Sequence, residues 1–262
     1  MKILFWIPAF VGTTIILCSC STEFNPATGR QETLMYGDDK EAAIGASVAL
    51  QVEKTMKFNN DVDINARVEG ILHKIAAVSD RRDMVYAIRV IEDEDDVANA
   101  FSLPGGYVYV YKGLIDLVAS DDQLASVIAH EVAHVTAKHA MKRLQGAYGA
   151  MILQGGAIAS GNYALAAGID LAASSILMKN SRADEYEADA LGVKYMRLAG
   201  YDPSQMKVML AKLLEHQAKE PLRPLNYWRT HPYLPQRIAM ASQIAAGKAD
   251  FRDYLNMTGE EH

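Results

Sequence analysis

The segment His130-Glu131-Val132-Ala133-His134 constrains this chain more than any other. Two imidazoles four residues apart share one face only on an α-helix, so the H-E-x-x-H pattern predicts its own secondary structure. A helix is expected here on separate grounds. Ser120 and Gln123 match a capping box, and Leu124, Val127, Ile128, Val132 and Val135 recur at helical spacing, which carries the helix to about Arg143. On that helix the nitrogens of His130 and His134 converge on one Zn²⁺ at about 2.0–2.1 Å. Glu131 falls on the flank, placed for a proton and not for the metal. The chain has only seven histidines, and chance supplies on the order of 0.01 such matches.

A catalytic zinc needs a third protein ligand and an open fourth position. His139 stands five residues after His134, about 140° round a continuous helix, so it is expected to point away into solvent near the helix end. Ser181 to Leu198 reads as a second long helix, on which Glu185 and Asp189 stand at i and i+4. With Glu185 as ligand, Asp189 is left to accept the free ring N–H of a histidine, His130 first, as carboxylates behind metal sites do. Glu187 is the competitor. It lies about 200° round from Glu185, which favours Glu185 and leaves Asp184 and Glu187 on a solvated face.

Composition bounds the rest. Half of the 262 residues are hydrophobic and 22% are charged, enough for one packed domain and contrary to disorder. A net charge of −6 supplies no basic field for phosphates, so a nucleic-acid partner is not expected. Both cysteines lie in the first twenty residues, so the body holds no disulfide framework. Lys2 and the apolar run Ile3 to Leu17 suit an export signal and are too short to span a bilayer. The junction Leu17-Cys18-Ser19-Cys20 looks like a bacterial lipobox with Cys20 as the acylated residue; an ordinary cleaved signal peptide is the alternative. The expected division is a signal peptide over 1–19, an acylated polar tether over 20–37 and one domain over 38–262.

Within that domain, helices are expected over Asp38 to Met56 and Asp61 to Val78, strands near Met84 to Ile91 and over Gly106 to Tyr111, and helices after Asp202-Pro203 and up to Gly247. The Gly/Ala-rich stretch 146–178 reads as two short helices over the site; a membrane span is the competing reading. The fold class expected is α+β, mainly helical, with a small sheet beside the H-E-x-x-H helix.

These residues resemble a family. His130-Glu-x-x-His134, then Ser181-Arg-x-x-Glu185-x-x-Ala-Asp189 and the later Thr230-His231-Pro232 with Arg237, are similar to the membrane-associated zinc metallopeptidases of the CAAX prenyl protease and HtpX type, which have a zincin-type domain. Asn25-Pro-x-Thr-Gly-Arg30 and Asn99-Ala100-Phe101 extend the similarity toward the bacterial lipoprotein members. The resemblance implies one zinc per chain on His130, His134 and Glu185, Glu131 as general base, Asp189 as a supporting carboxylate, and His231 and Arg237 near the zinc as transition-state or water-site groups. By spacing alone His231 is a loop histidine held by Pro232. The chain lacks the leucine-rich spans of the integral members, so a prenylated substrate is not implied.

The reaction expected is hydrolysis of a peptide bond in unfolded or misfolded envelope polypeptides, at the periplasmic face of the outer membrane. A zinc-bearing assembly factor with silent proteolysis is the alternative. Asn99, Ala100, Tyr107 and Tyr109 are the candidate substrate-binding residues, because a strand edge at Tyr107 to Tyr111 binds an extended peptide through its main chain; a plain interior strand is equally open.

Overall fold

The computed structural model describes residues 21–93, 96–153, 178–219 and 227–249. The export signal, Cys20, residues 154–177 of the Gly/Ala-rich stretch and Pro221 of the proline-punctuated loop lie outside the described residues. Among those described, no helix is long and apolar enough to cross a membrane.

A hairpin of β1 (Ser21–Asn25) and β2 (Arg30–Leu34) comes first, followed by helices α1 (Asp38–Thr55) and α2 (Val62–Ala76). The sheet strands are β3 (Ala87–Ile91), β4 (Ala100–Leu103) and β5 (Tyr107–Tyr111). Then come α3 (Lys112–Leu117), α4 (Asp121–Thr136), α5 (His139–Leu153), α6 (Arg182–Leu198), α7 (Gln205–Lys219), α8 (Tyr227–Thr230) and α9 (Leu234–Ala245). The mainly helical α+β class and the small sheet beside the H-E-x-x-H helix are as expected from sequence.

The central element is α4, buried at every residue from Gln123 to Thr136. Ser120 Oγ accepts from Gln123 N at 3.3 Å, as its capping pattern predicts, while the Gln123 side chain reaches past the cap to Ala119 N at 2.9 Å. Around α4, Val68, Leu72 and Ile75 of α2, Val108 and Val110 of β5, and Met206 and Leu210 of α7 close one hydrophobic core. Fully burying an aliphatic side chain of this size stabilises by about 1.5–3 kcal/mol, so helices from both halves of the chain hold the histidine pair in place.

Two close backbone approaches set the layers. Gly192 of α6 lies where a Cβ would stand 3.3 Å from the His130 amide nitrogen, which brings α6 against α4 at the motif itself. Gly45 of α1 lies where a Cβ would stand 1.8 Å from the Pro104 carbonyl oxygen in the β4–β5 turn. Gly45→Ala is therefore expected to destabilise the fold by about 2–3 kcal/mol, read from the denaturant midpoint; an unchanged midpoint would show that α1 is free to shift.

Three expectations are corrected. The segment 21–37 is not a bare tether. Its polar residues form the hairpin, and Asn25 Nδ2 donates to Thr136 O at 3.2 Å while Lys142 pairs with Glu32 at 2.6 Å, fastening it to the end of α4 and to α5. The strand Tyr107 to Tyr111 is not an edge. The strand order is β3-β5-β4, with β5 parallel to β3 and antiparallel to β4, so both of its sides are paired and Tyr109 is buried under Phe101, ring centroids 5.0 Å apart. The helix of the motif also stops earlier than Arg143. Its last turn ends at Thr136, and Lys138 takes a left-handed conformation (φ 57°) before α5 begins at His139. Such a conformation costs a non-glycine residue roughly 1–2 kcal/mol, and the buried Lys138 ammonium, 2.7 Å from Asp38 and 3.4 Å from Glu23, offsets it.

Candidate active site

His130 and His134 stand on α4, one turn apart, with their Nε2 atoms 3.0 Å from each other. Glu185 projects from the first turns of α6, where a capping box between Ser181 and Asp184 fixes the start of the helix. Its Oε1 lies 3.3 Å from His134 Nε2 and 3.0 Å from His231 Nδ1, and its Oε2 lies 3.6 Å from His130 Nε2. His231 Nδ1 is in turn 3.3 Å from His130 Nε2. Among the described residues these four side chains, all buried, form a group whose donor atoms lie within 4.8 Å of one another.

That convergence is a test of fit for a metal. Donors placed tetrahedrally at about 2.0–2.1 Å from a zinc-sized ion stand about 3.3 Å apart, close to the separations given above. Imidazole nitrogens and a carboxylate are ligands for a divalent metal of the zinc type. Without a cation, three ring nitrogens and a carboxylate would bring their lone pairs together in a site closed to water, a costly arrangement. The residues fit a metal ion.

Asp189, one turn beyond Glu185, places Oδ1 2.9 Å from His130 Nδ1, as its i+4 position predicts. It accepts that ring proton, which leaves the His130 Nε2 lone pair facing the cluster. Arg237 of α9 is wholly buried behind the two acids, with Nε and Nη2 each 2.7 Å from Asp189 and Nη1 donating to Glu185. Burial pushes both carboxyls up, and Arg237 overrides it, holding Glu185 well below the usual carboxylate range and Asp189 below its own. Burial and the neighbouring His130 push the His134 imidazole well down, toward the neutral form a ligand needs.

Glu131 points to the other side of the cluster. Its Oε2 accepts from Ser102 Oγ at 2.9 Å, and its Oε1, 3.4 Å from His231 Nε2, has no hydrogen bond. The cleft beside it is lined by Phe101, Ser102, Leu103, Met141 and Met178. Strand β4 therefore forms the wall of the cleft, with no strand on its outer side among the described residues.

Comparison with known proteins adds that residues 63–245 match the description Peptidase family M48. The chain belongs to peptidase family M48. It is 32% identical over 179 residues to the mitochondrial metalloendopeptidase OMA1 of Schizosaccharomyces pombe, across 65% of this chain and 50% of that protein. To the beta-barrel assembly-enhancing protease of Escherichia coli it is 33% identical over 164 residues, across 58% of this chain and 33% of that one. To the protein of the same name in Yersinia pestis it is 24% identical over 231 residues, covering 84% and 47%. The chain thus spans about half the length, or less, of these curated relatives.

Several placements in this M48 chain differ from those expected. His139 does not face solvent: it is buried, its Nδ1 2.7 Å from His134 Nδ1 and its Nε2 3.2 Å from Glu187 Oε2. Glu187 is likewise buried, so the face opposite Glu185 meets α5 and not water. Arg237, wholly buried, pairs with the two acids Asp189 and Glu185. His231 is no free loop residue. Its amide donates to Tyr227 O at 2.8 Å and the Tyr227 ring stacks on its imidazole at 4.4 Å, so its side chain joins the donor set. Of the substrate candidates, Asn99 precedes the edge strand and Ala100 opens it, both buried, and Asn99 Oδ1 accepts from Ala100 N at 2.9 Å. Tyr107 and Tyr109 belong to the interior strand. No motif in the sequence marks Asn180, which precedes the cap of α6 and whose Nδ2 donates to Glu185 Oε1 at 2.6 Å, or Tyr227, which opens the one-turn helix α8.

Proposed function

We propose that this chain is a zinc metalloendopeptidase of the cell envelope, hydrolysing peptide bonds of unfolded or misassembled polypeptides. The observation that carries the reading is the convergence of His130, His134 and Glu185 on one point, with the unbonded Glu131 oxygen at its side. His130, His134 and Glu185 would hold one zinc per chain. When bound, zinc supplies Lewis acidity, polarising a carbonyl and acidifying water. Glu131 takes the proton of the attacking water and delivers it to the leaving nitrogen. The free side of β4, in place of β5, binds the extended substrate by main-chain pairing, and Ser102 holds Glu131 against that strand.

Relatives named as beta-barrel assembly-enhancing proteases support an envelope setting, and the mitochondrial metalloendopeptidase supports the activity. We place the protein at the periplasmic face of the outer membrane. Cys20, once acylated, anchors it there, since two or more chains bind firmly where one binds marginally. Finer membership among the lipoprotein members of the CAAX prenyl protease and HtpX type rests on the motifs alone.

A second reading has its own observation. His231 sits at the fourth donor position, where a catalytic centre is open to water. The site as built is closed, and hydrolysis requires His231 to swing out, whereupon its ring is free to steady the developing oxyanion. If it stays, the protein is a zinc-bearing assembly factor with silent proteolysis. Incubating the full chain with a reduced, unfolded protein separates the two. The expected result is cleavage that a chelator abolishes and one equivalent of zinc restores; no cleavage by the zinc-loaded chain would favour the second reading.

A further inference from the structure

The M48 reading uses His130, His134, Glu185 and Glu131, and leaves unexplained a buried histidine and a buried acid beside them. His139 and Glu187 are 1% and 7% exposed; they touch each other, and His139 touches His134. The chain reaches this arrangement by breaking the helix of the motif at the left-handed Lys138, so that His139 turns back toward His134 where a continuous helix would carry it away.

Proton positions along this line follow from its far end. The Glu187 carboxylate can only accept, so His139 Nε2 carries the proton at that 3.2 Å contact. His139 Nδ1 faces His134 Nδ1 across 2.7 Å, while His134 Nε2 faces the donor cluster, so a proton on His134 Nδ1 donated to a bare His139 Nδ1 leaves the His134 Nε2 lone pair for a metal. The same result is reached at His130 by one direct contact with Asp189. We propose that His139 and Glu187 are a positioning pair that sets the tautomer and ring orientation of His134 for metal binding, the indirect counterpart of Asp189 at His130. Neither residue touches substrate. The inference rests on the zinc reading above.

The zinc-loaded, ¹⁵N-labelled full chain in detergent tests it through the ring-nitrogen shifts of the histidines. The expected pattern is a protonated Nδ1 on His134 and, on His139, a protonated Nε2 with a bare Nδ1. A doubly protonated His139, or one protonated only at Nδ1, overturns the proposal. Chelator competition supplies a second readout. Losing such a partner typically lowers metal affinity 10–100-fold, so His139→Leu should lose at least about tenfold, whereas His139→Asn, whose amide oxygen lies where Nδ1 was, should stay within about threefold. Wild-type affinity in His139→Leu, or an equal loss in both variants, contradicts it. Should His139→Leu fail to fold, the shifts and the Asn variant decide. A wild-type chain that takes up no zinc overturns the zinc reading together with this one; stoichiometric zinc with the wrong tautomer overturns this one alone.

Discussion

Replacing Glu131 with Gln is expected to slow cleavage of an unfolded polypeptide by about 10²–10⁴-fold, the usual contribution of a general base, with zinc content unchanged. The substitution is nearly isosteric. The amide oxygen can still accept from Ser102 Oγ, which now stands 2.9 Å from Glu131 Oε2, so the packing of β4 on α4 is kept. What is lost is proton acceptance at an oxygen that has no hydrogen bond and lies beside the donor cluster. A loss of that size corresponds to roughly 2.7–5.5 kcal/mol of transition-state stabilisation. Because Glu131 is outside the donor set, equilibrium zinc binding serves as the internal control. Cleavage within about threefold of wild type would remove Glu131 from the role that general-base catalysis assigns it.

The second large effect concerns stability. Arg237→Met keeps an apolar stem of similar length and deletes the cation that bridges Asp189 and Glu185, all three groups being wholly buried. Removing one partner of such a set typically costs about 3–5 kcal/mol, because the remaining charges are left uncompensated. In a domain of this size each kcal/mol moves the melting temperature by about 2–4 °C, so the zinc-free chain should melt on the order of 10 °C lower. With zinc bound the drop should shrink, since the metal offsets the charge of Glu185. A zinc-free variant that melts with wild type would mean that the two acids do not depend on Arg237.

The sequence carried the site where its geometry is local. His130 with His134, and Glu185 with Asp189, are each one helical turn apart, and the caps at Ser120 and Ser181 fix where those turns begin. His139 points away only on a continuous helix, whereas α4 ends at Thr136 and the chain turns at the left-handed Lys138, which no glycine or proline announces. Glu187 does lie away from Glu185, yet a helix covers that side. The polar strands of the first hairpin show no hydrophobic alternation, because their contacts to α4 and α5 run through Asn25 and Glu32. Alternation in Tyr107 to Tyr111 marks a strand and is silent about its neighbours, so the edge had to be read from the order β3-β5-β4. His231 joins Glu185 and His130 across 46 and 101 residues of chain, separations at which no spacing rule operates.

Metal content tests the whole account most directly. Purified full chain dialysed against zinc should hold one ion per molecule, and Glu185→Ala, treated identically and still folded by circular dichroism, should hold it far more weakly. Tight, stoichiometric zinc in Glu185→Ala would show that the histidine pair is completed by some other group and that the site proposed here is wrong.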